Sequence, residues 1–219
     1  MADIFREVDE EVRQDQALAL WTKYQNLIIT VAVLIVAVAG GWKLWQAQQL
    51  KAAHAADEKL HAAMALSREG KPQEAEAAFA ALAKDAPSGY AAIARLRAAG
   101  ELTAKDRKGA VAAFDKIAAD SSADPLFRDI ARLRAGMIRV DDADMKEIEE
   151  RLSPLAAAGQ PFRASARELL GLAAIKFGDL DAAGRWFDQI VSDSEAPSGA
   201  KQRAEAFLGL VRSDRKPAK

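Results

Sequence analysis

Two hydrophobic patterns divide the chain. Residues 24–42 carry no charged side chain and residues 27–39 are almost wholly aliphatic, whereas further on apolar residues recur at three- and four-residue steps between charged ones. The first pattern predicts a helix that crosses a bilayer: about 19 residues at 1.5 Å each cover most of a roughly 30 Å hydrocarbon core. Trp21 and Tyr24 stand at one end, Trp42 and Trp45 at the other. They are about 31 Å apart along a helix, where interfacial aromatic belts belong. Lys23 and Lys43 bracket the run, placed to reach headgroups. The lipid bilayer is therefore the first expected partner.

The small-residue triplet Ala37-Val38-Ala39 offers a signal-peptidase pattern, but the flank argues against cleavage. Residues 1–23 hold Asp3, Glu7, Asp9, Glu10, Glu11 and Asp15 against Arg6, Arg13 and Lys23, the reverse of a basic leader. The expected layout is an acidic tail over 1–23, an uncleaved anchor over 24–45, a soluble domain over 46–212 and a short tail over 213–219. In the first tail Ile4, Val8 and Val12 fall at helical spacing. Its acidity disfavours an anionic lipid surface, leaving a protein contact or an unstructured tail as the two readings. Lys43, Lys51 and Lys59 balance the bases before the anchor, so charge alone gives no orientation.

The second pattern repeats. Aligning the chain on a small-then-aromatic pair four residues apart gives Ala75/Phe79, Ala110/Phe114 and Ala183/Phe187, with Ile148/Leu152 in the corresponding place, at a period of about 35–38 residues, close to the 34 of tetratricopeptide repeats. Pro87, Pro125, Pro161 and Pro197 recur independently at about the same period. The segment Ala94-Arg95-Leu96-Arg97-Ala98 returns as Ala131-Arg132-Leu133-Arg134-Ala135. Proline is tolerated only in a first helical turn, so each marks the start of a unit. A helix A, a short turn and a helix B bearing the pair follow. Gly70-Lys71-Pro72 and Gly178-Asp179 are the expected turns of units one and four, glycine ending one helix and aspartate or proline opening the next. Gly171, on helix A of unit four, lets its helix B approach closely. A hairpin cannot bury its own stripe, so the units must stack. The fold class is all-α: one N-terminal transmembrane helix followed by a tetratricopeptide-like solenoid. Unit three, with the acidic turn Asp141-Asp142-Ala143-Asp144 and Ile148, Leu152 and Leu155 as its stripe, is the degenerate copy. Residues 200–211 read as a capping helix, kept soluble by Arg203, Glu205 and Arg212.

Composition narrows the chemistry. Lys and Arg total 31 against 32 Asp and Glu, a balance that speaks against nucleic-acid binding. There is no cysteine and there are two histidines, which removes thiolate chemistry and any histidine-rich metal site. No cofactor is expected. His54 and His61 read as helix surface, Glu149-Glu150 and Asp141-Asp142 as solvated turn and helix residues, and Gly40-Gly41 as a helix end. An enzyme is the weakest of the function classes.

The motif Gly171-Leu172…Gly178-Asp179…Ala182-Ala183…Phe187 resembles the tetratricopeptide consensus. Three features together resemble the YfgM-type family, the ancillary subunit of the SecYEG translocon: the acidic tail, an anchor ending Gly40-Gly41-Trp42-Lys43-Leu44-Trp45, and the alanine-rich repeats. The opening Asp3-Ile4-Phe5-Arg6-Glu7-Val8-Asp9-Glu10-Glu11 is similar to the alphaproteobacterial branch. The resemblance implies a single-pass bacterial inner-membrane protein, N-terminus cytoplasmic and repeats periplasmic. The partners it implies are the SecYEG channel and a membrane-anchored, prolyl-isomerase-like periplasmic chaperone.

Arg95, Arg132, Arg167 and Arg203 recur once per helix A. Two readings compete: a guanidinium ladder in the concave groove that clamps partner carboxylates, or solvated residues in local pairs. The leading expectation is a tethered protein-binding scaffold; the rival is an envelope scaffold for cell-wall or outer-membrane assembly machinery.

Overall fold

A computed structural model describes residues 2–214. Met1, residues 215–219 of the C-terminal tail and the side chains of Ile4, Val8 and Val12 lie outside what is described. The described residues form nine helices and no strand: α1 (Ala2–Arg68), α2 (Pro72–Asp85), α3 (Ser88–Leu102), α4 (Arg107–Ala119), α5 (Pro125–Arg139), α6 (Met145–Ala156), α7 (Arg163–Lys176), α8 (Leu180–Val191) and α9 (Ser198–Asp214). The chain divides into two compact units, one ending at His54 and one beginning at Ala55.

In the first unit, α1 is the helix long and apolar enough to cross a membrane. Leu27, Ile29, Val31, Val33, Leu34, Ile35, Val36 and Val38 all stand open along it. Trp21, Tyr24, Trp42 and Trp45 are exposed as well. The Trp42 and Trp45 rings pack 5.2 Å apart, and Lys23 Nζ lies 5.4 Å from the Tyr24 ring centre.

In the second unit the prolines fall where helices A begin. Pro87 immediately precedes α3, Pro125 is the first residue of α5, Pro161 lies two residues before α7, and Pro197 immediately precedes α9. The end of α1 pairs with α2, α3 with α4, α5 with α6, and α7 with α8; α9 closes the stack. Gly70 and Gly178 adopt φ of 74° and 78°, the left-handed conformation glycine tolerates, and so end helix A within a three-residue turn. Asp106, Asp144 and Asp179 each open a helix B, accepting a backbone N–H at 2.8 Å from Gly109, Glu147 and Ala182. That interaction satisfies a donor the helix itself cannot pair.

The stripes of helices B are buried by the next helix A. Phe114 packs with Ala131, Ala135 and Ile138 of α5; Leu152 with Ala166, Leu170 and Ala173 of α7; Phe187 with Ala200, Ala204 and Leu208 of α9. Phe79 and Leu82 pack with Ala56, Leu60 and Ala63 of α1 and with Ala94 of α3. Repeat three does not interrupt the series. Its Ile148 and Leu152 are fully buried, and α5 and α6 both contact α7. Larger aliphatics fill the volume that a small/aromatic pair fills elsewhere. As expected of a cap, α9 buries Ala200, Ala204, Leu208 and Val211 and leaves Arg203, Glu205 and Arg212 exposed.

Candidate protein-binding groove

Consecutive helices A touch one another, α3 with α5, α5 with α7 and α7 with α9, whereas α2, α4, α6 and α8 contact only helices A. The row whose members approach each other is the inner row of a curved stack, so helices A line the concave side. Between α3 and α5 this side opens into a groove of about 660 Å³. Ile93 and Leu96 line it from α3, Phe127, Ile130 and Met137 from α5, and Phe114 from α4. Met137 is 46% exposed there, more than its apolar side chain would leave in a closed core. Arg97 and Arg134, both exposed, stand among these residues with Glu101 and Arg107. Glu101 accepts from Ser67 Oγ at 2.6 Å, and Arg107 donates to the Ile138 carbonyl at 2.6 Å. Arg97 and Arg134 have no hydrogen-bond or ion-pair partner among the described residues, so their donors remain available to an acceptor on another molecule.

A charged seam fixes the hairpins behind the groove. Arg139 of α5 holds Glu147 of α6 with two bonds of 2.8 and 2.6 Å. Glu147 also accepts from Arg151 Nε at 3.0 Å, and Arg151 grips Asp115 of α4 at 2.5 and 3.0 Å. The hydrogen bonds from Arg139, assisted by Arg151, push the Glu147 carboxyl down to about 2. The same bonds raise Arg139 above the ordinary guanidinium range.

None of the four ladder arginines lines this groove, and each has a partner within the protein. Arg95 lies 3.6 Å from Asp120, at the end of helix B in its own repeat. Arg132 pairs with Asp129 one turn back at 3.1 Å. Arg167 is buried, 8% exposed. It donates to the Ala156 and Gln189 carbonyls at 3.0 and 3.2 Å and to Asp193 at 3.1 Å, which places it in the frame of repeat four. Arg203 grips Glu168 of α7 at 2.6 and 2.7 Å. The groove arginines, Arg97 and Arg134, lie two residues beyond Arg95 and Arg132 in the same duplicated segment, so the repeat that flagged the first pair also carried the second. Elsewhere, His61 sits 3.7 Å from Asp57, Asp142 pairs with Arg139 at 3.0 Å and Asp141 with Arg107 at 3.3 Å, and Glu149 and Glu150 are exposed.

Stacked two-helix hairpins with an open inner face define the class of helical-repeat interaction scaffolds. The chain belongs to the tetratricopeptide repeat-like domain family, whose model matches residues 19–204. Such domains typically bind proteins rather than catalyse reactions, and membership assigns this chain protein partners in general. No curated protein and no solved structure matches the chain.

Proposed function

We propose that the chain is a membrane-anchored protein-binding scaffold whose repeats face the periplasm of a Gram-negative cell, where they assist the SecYEG translocon and its associated chaperones with newly translocated proteins. The observation that carries the binding role is the α3–α5 groove, an apolar floor with two unpaired arginines on the inner face of the repeats. Its chemistry suits a partner segment with apolar side chains beside acidic ones. Arg95, Arg132 and Arg203 keep part of each side chain open and are proposed as further contacts for acidic residues of the partner. The open aliphatic face of α1 supports the anchor, because a bilayer removes from water what the protein leaves exposed. Tethering then raises the local concentration of a modest groove near its clients. The SecYEG channel, the prolyl-isomerase-like chaperone and the N-in orientation rest on the resemblance to the YfgM-type family.

In-cell photocrosslinking from positions 96 and 137 in the groove and position 42 in the anchor tests the reading. Adducts with channel subunits and with the membrane-anchored chaperone are expected. Adducts confined to cell-wall or outer-membrane assembly enzymes would transfer the protein to the rival envelope role. A reporter fused to the C-terminus is expected to be active only in its periplasm-dependent form.

A further inference from the structure

The α3–α5 groove is built from two copies of one surface. α3 and α5 are each 15 residues long. They start at Ser88 and Pro125, the same offset that separates Ala94-Arg95-Leu96-Arg97-Ala98 from Ala131-Arg132-Leu133-Arg134-Ala135. That offset makes Ile93 equivalent to Ile130 and Arg97 equivalent to Arg134, and all four line the groove. Within each helix the isoleucine and the arginine are four residues apart and so share a face. The groove therefore presents the same pair twice, an apolar side chain followed by a cation, once from each repeat.

Its charge is one-sided. Arg97, Arg107 and Arg134 line it against one acid, Glu101, which already accepts from Ser67. Arg107 is engaged by the Ile138 carbonyl and by Asp141. Arg97 and Arg134 are left exposed, two guanidinium groups beside an apolar floor, and carboxylates on an apolar chain complement both features. Spacing then restricts the chain. Packed helices lie about 8–10 Å apart between axes, which sets the separation of equivalent arginines. A polyproline II segment rises about 3.1 Å per residue and returns to the same side every third residue, after about 9.3 Å. A β-strand returns after about 6.6 Å, and an α-helix reaches the span only after two turns, about seven residues. A groove of about 660 Å³ is of the size that encloses a small-molecule ligand, which matches a short extended stretch better than two helical turns.

We propose that the α3–α5 groove reads an extended polypeptide segment in which acidic residues recur at every third position, one carboxylate on Arg97 and the next on Arg134, with the apolar side chains that follow them laid over Ile93 and Ile130. This rests on the scaffold reading and adds to it the partner's conformation and period. A single exposed ion pair is weak in water, whereas the second carboxylate of one segment meets its arginine at the high local concentration the first contact provides. Polyproline II is a major conformer of unfolded chains, so the groove selects partner segments that have not yet folded.

The test uses the full-length chain in nonionic micelles and the fluorescence anisotropy of labelled peptides of about nine residues, with empty micelles as the blank. The probes are a repeated Asp-Leu-Pro peptide, the same residues shuffled so that the acids are adjacent, the Asn-Leu-Pro counterpart, and an alanine-based helix with two acids seven residues apart. The Asp-Leu-Pro peptide is expected to bind at least about tenfold more tightly than the other three. Arg97→Gln and Arg134→Gln should each lower that affinity about tenfold and leave the thermal melt in place. Equal binding of the shuffled or helical peptide overturns the extended, every-third register, and equal binding of the Asn peptide overturns the carboxylate. An effect confined to one arginine overturns the two-point grip. Crosslinks from positions 96 and 137 in cells report on the groove itself: if they persist while the peptides fail to discriminate, the register falls and the groove reading stands, whereas their absence from the parent protein removes both.

Discussion

The Phe187 ring fills the space that a side chain on Gly171 would need: a Cβ there would fall 2.6 Å from Cζ and 2.8 Å from Cε1. Gly136 stands in the same relation to Leu152, with Cδ2 at 2.6 Å. Helix propensity alone favours alanine over glycine by about 1 kcal/mol, but overpacking a closed core costs about 1–3 kcal/mol. Gly171→Ala is therefore expected to lower stability, because a fully buried ring has nowhere to turn. Gly136→Ala should cost less, since the end of a leucine side chain yields more readily. Gly100→Ala, with nothing within 4 Å of the new Cβ, should be neutral or stabilising. Thermal unfolding followed by circular dichroism ranks the three, and a Gly171→Ala protein as stable as Gly100→Ala would refute the close approach.

Arg167 and Arg95 are separated by the same logic. Removing Arg167 strands the Ala156 and Gln189 carbonyls in a buried site and takes one guanidinium from Asp193. Arg167→Met is expected to cost about 2–4 kcal/mol. Arg95→Ala breaks one long, half-exposed contact and should cost no more than about 0.5 kcal/mol. Denaturant titrations of the two variants measure the difference. Equal midpoints would mean that the buried network carries no net stability.

These differences mark where the sequence was legible. Proline and small/bulky spacing located every hairpin, because both follow from backbone sterics and burial that act locally. Gly178-Asp179 was readable as a turn for the same reason. Repeat three looked degenerate because its stripe changes residue type, yet Ile148 and Leu152 hold the same places as Ala183 and Phe187, and packing responds to volume and position rather than to a consensus. The division of labour among arginines was not legible. Arg95 and Arg97 differ by two residues, which turns them about 200° apart on a helix. Whether either meets an acid depends on where helix B ends, as Asp120 beside Arg95 shows.

Acid should loosen the seam between repeats two and three. Arg139 and Arg151 hold the Glu147 carboxyl at about 2, whereas an unfolded chain titrates it near 4.3. Folding therefore favours the ionised form. The stabilisation is complete above about pH 4.5 and is lost as pH falls towards 2. Thermal midpoints are expected to drop across that window, and Glu147→Gln, less stable than the parent at pH 7, should flatten this part of the acid limb. A variant whose midpoint falls as steeply as the parent's would place the titration elsewhere.

Met137 offers a way to separate binding from folding. Its side chain is 46% exposed in the groove, so Met137→Glu adds a charge without opening a cavity and should alter stability by no more than about 0.5 kcal/mol. Partner crosslinking from position 96 should fall sharply, since the charge must be desolvated when an apolar segment docks. Unchanged crosslinking with an unchanged melt would move the binding face away from α3 and α5.

The two units make opposite demands on solvent. The repeat unit buries Phe79, Phe114, Leu152 and Phe187 within itself, so a fragment beginning at residue 55 is expected to remain soluble without detergent and to melt cooperatively. The full chain leaves Leu34, Ile35 and Val38 exposed in mid-run and should partition into membranes and resist extraction at alkaline pH. A charge at the centre of a spanning helix costs about 2.5–3.5 kcal/mol on insertion. Leu34→Arg combined with Val38→Arg should accordingly shift the protein towards the soluble fraction while leaving the repeat unit's melt intact. If the double variant stayed fully membrane-bound, retention would have to come from protein contacts rather than from the aliphatic run of α1.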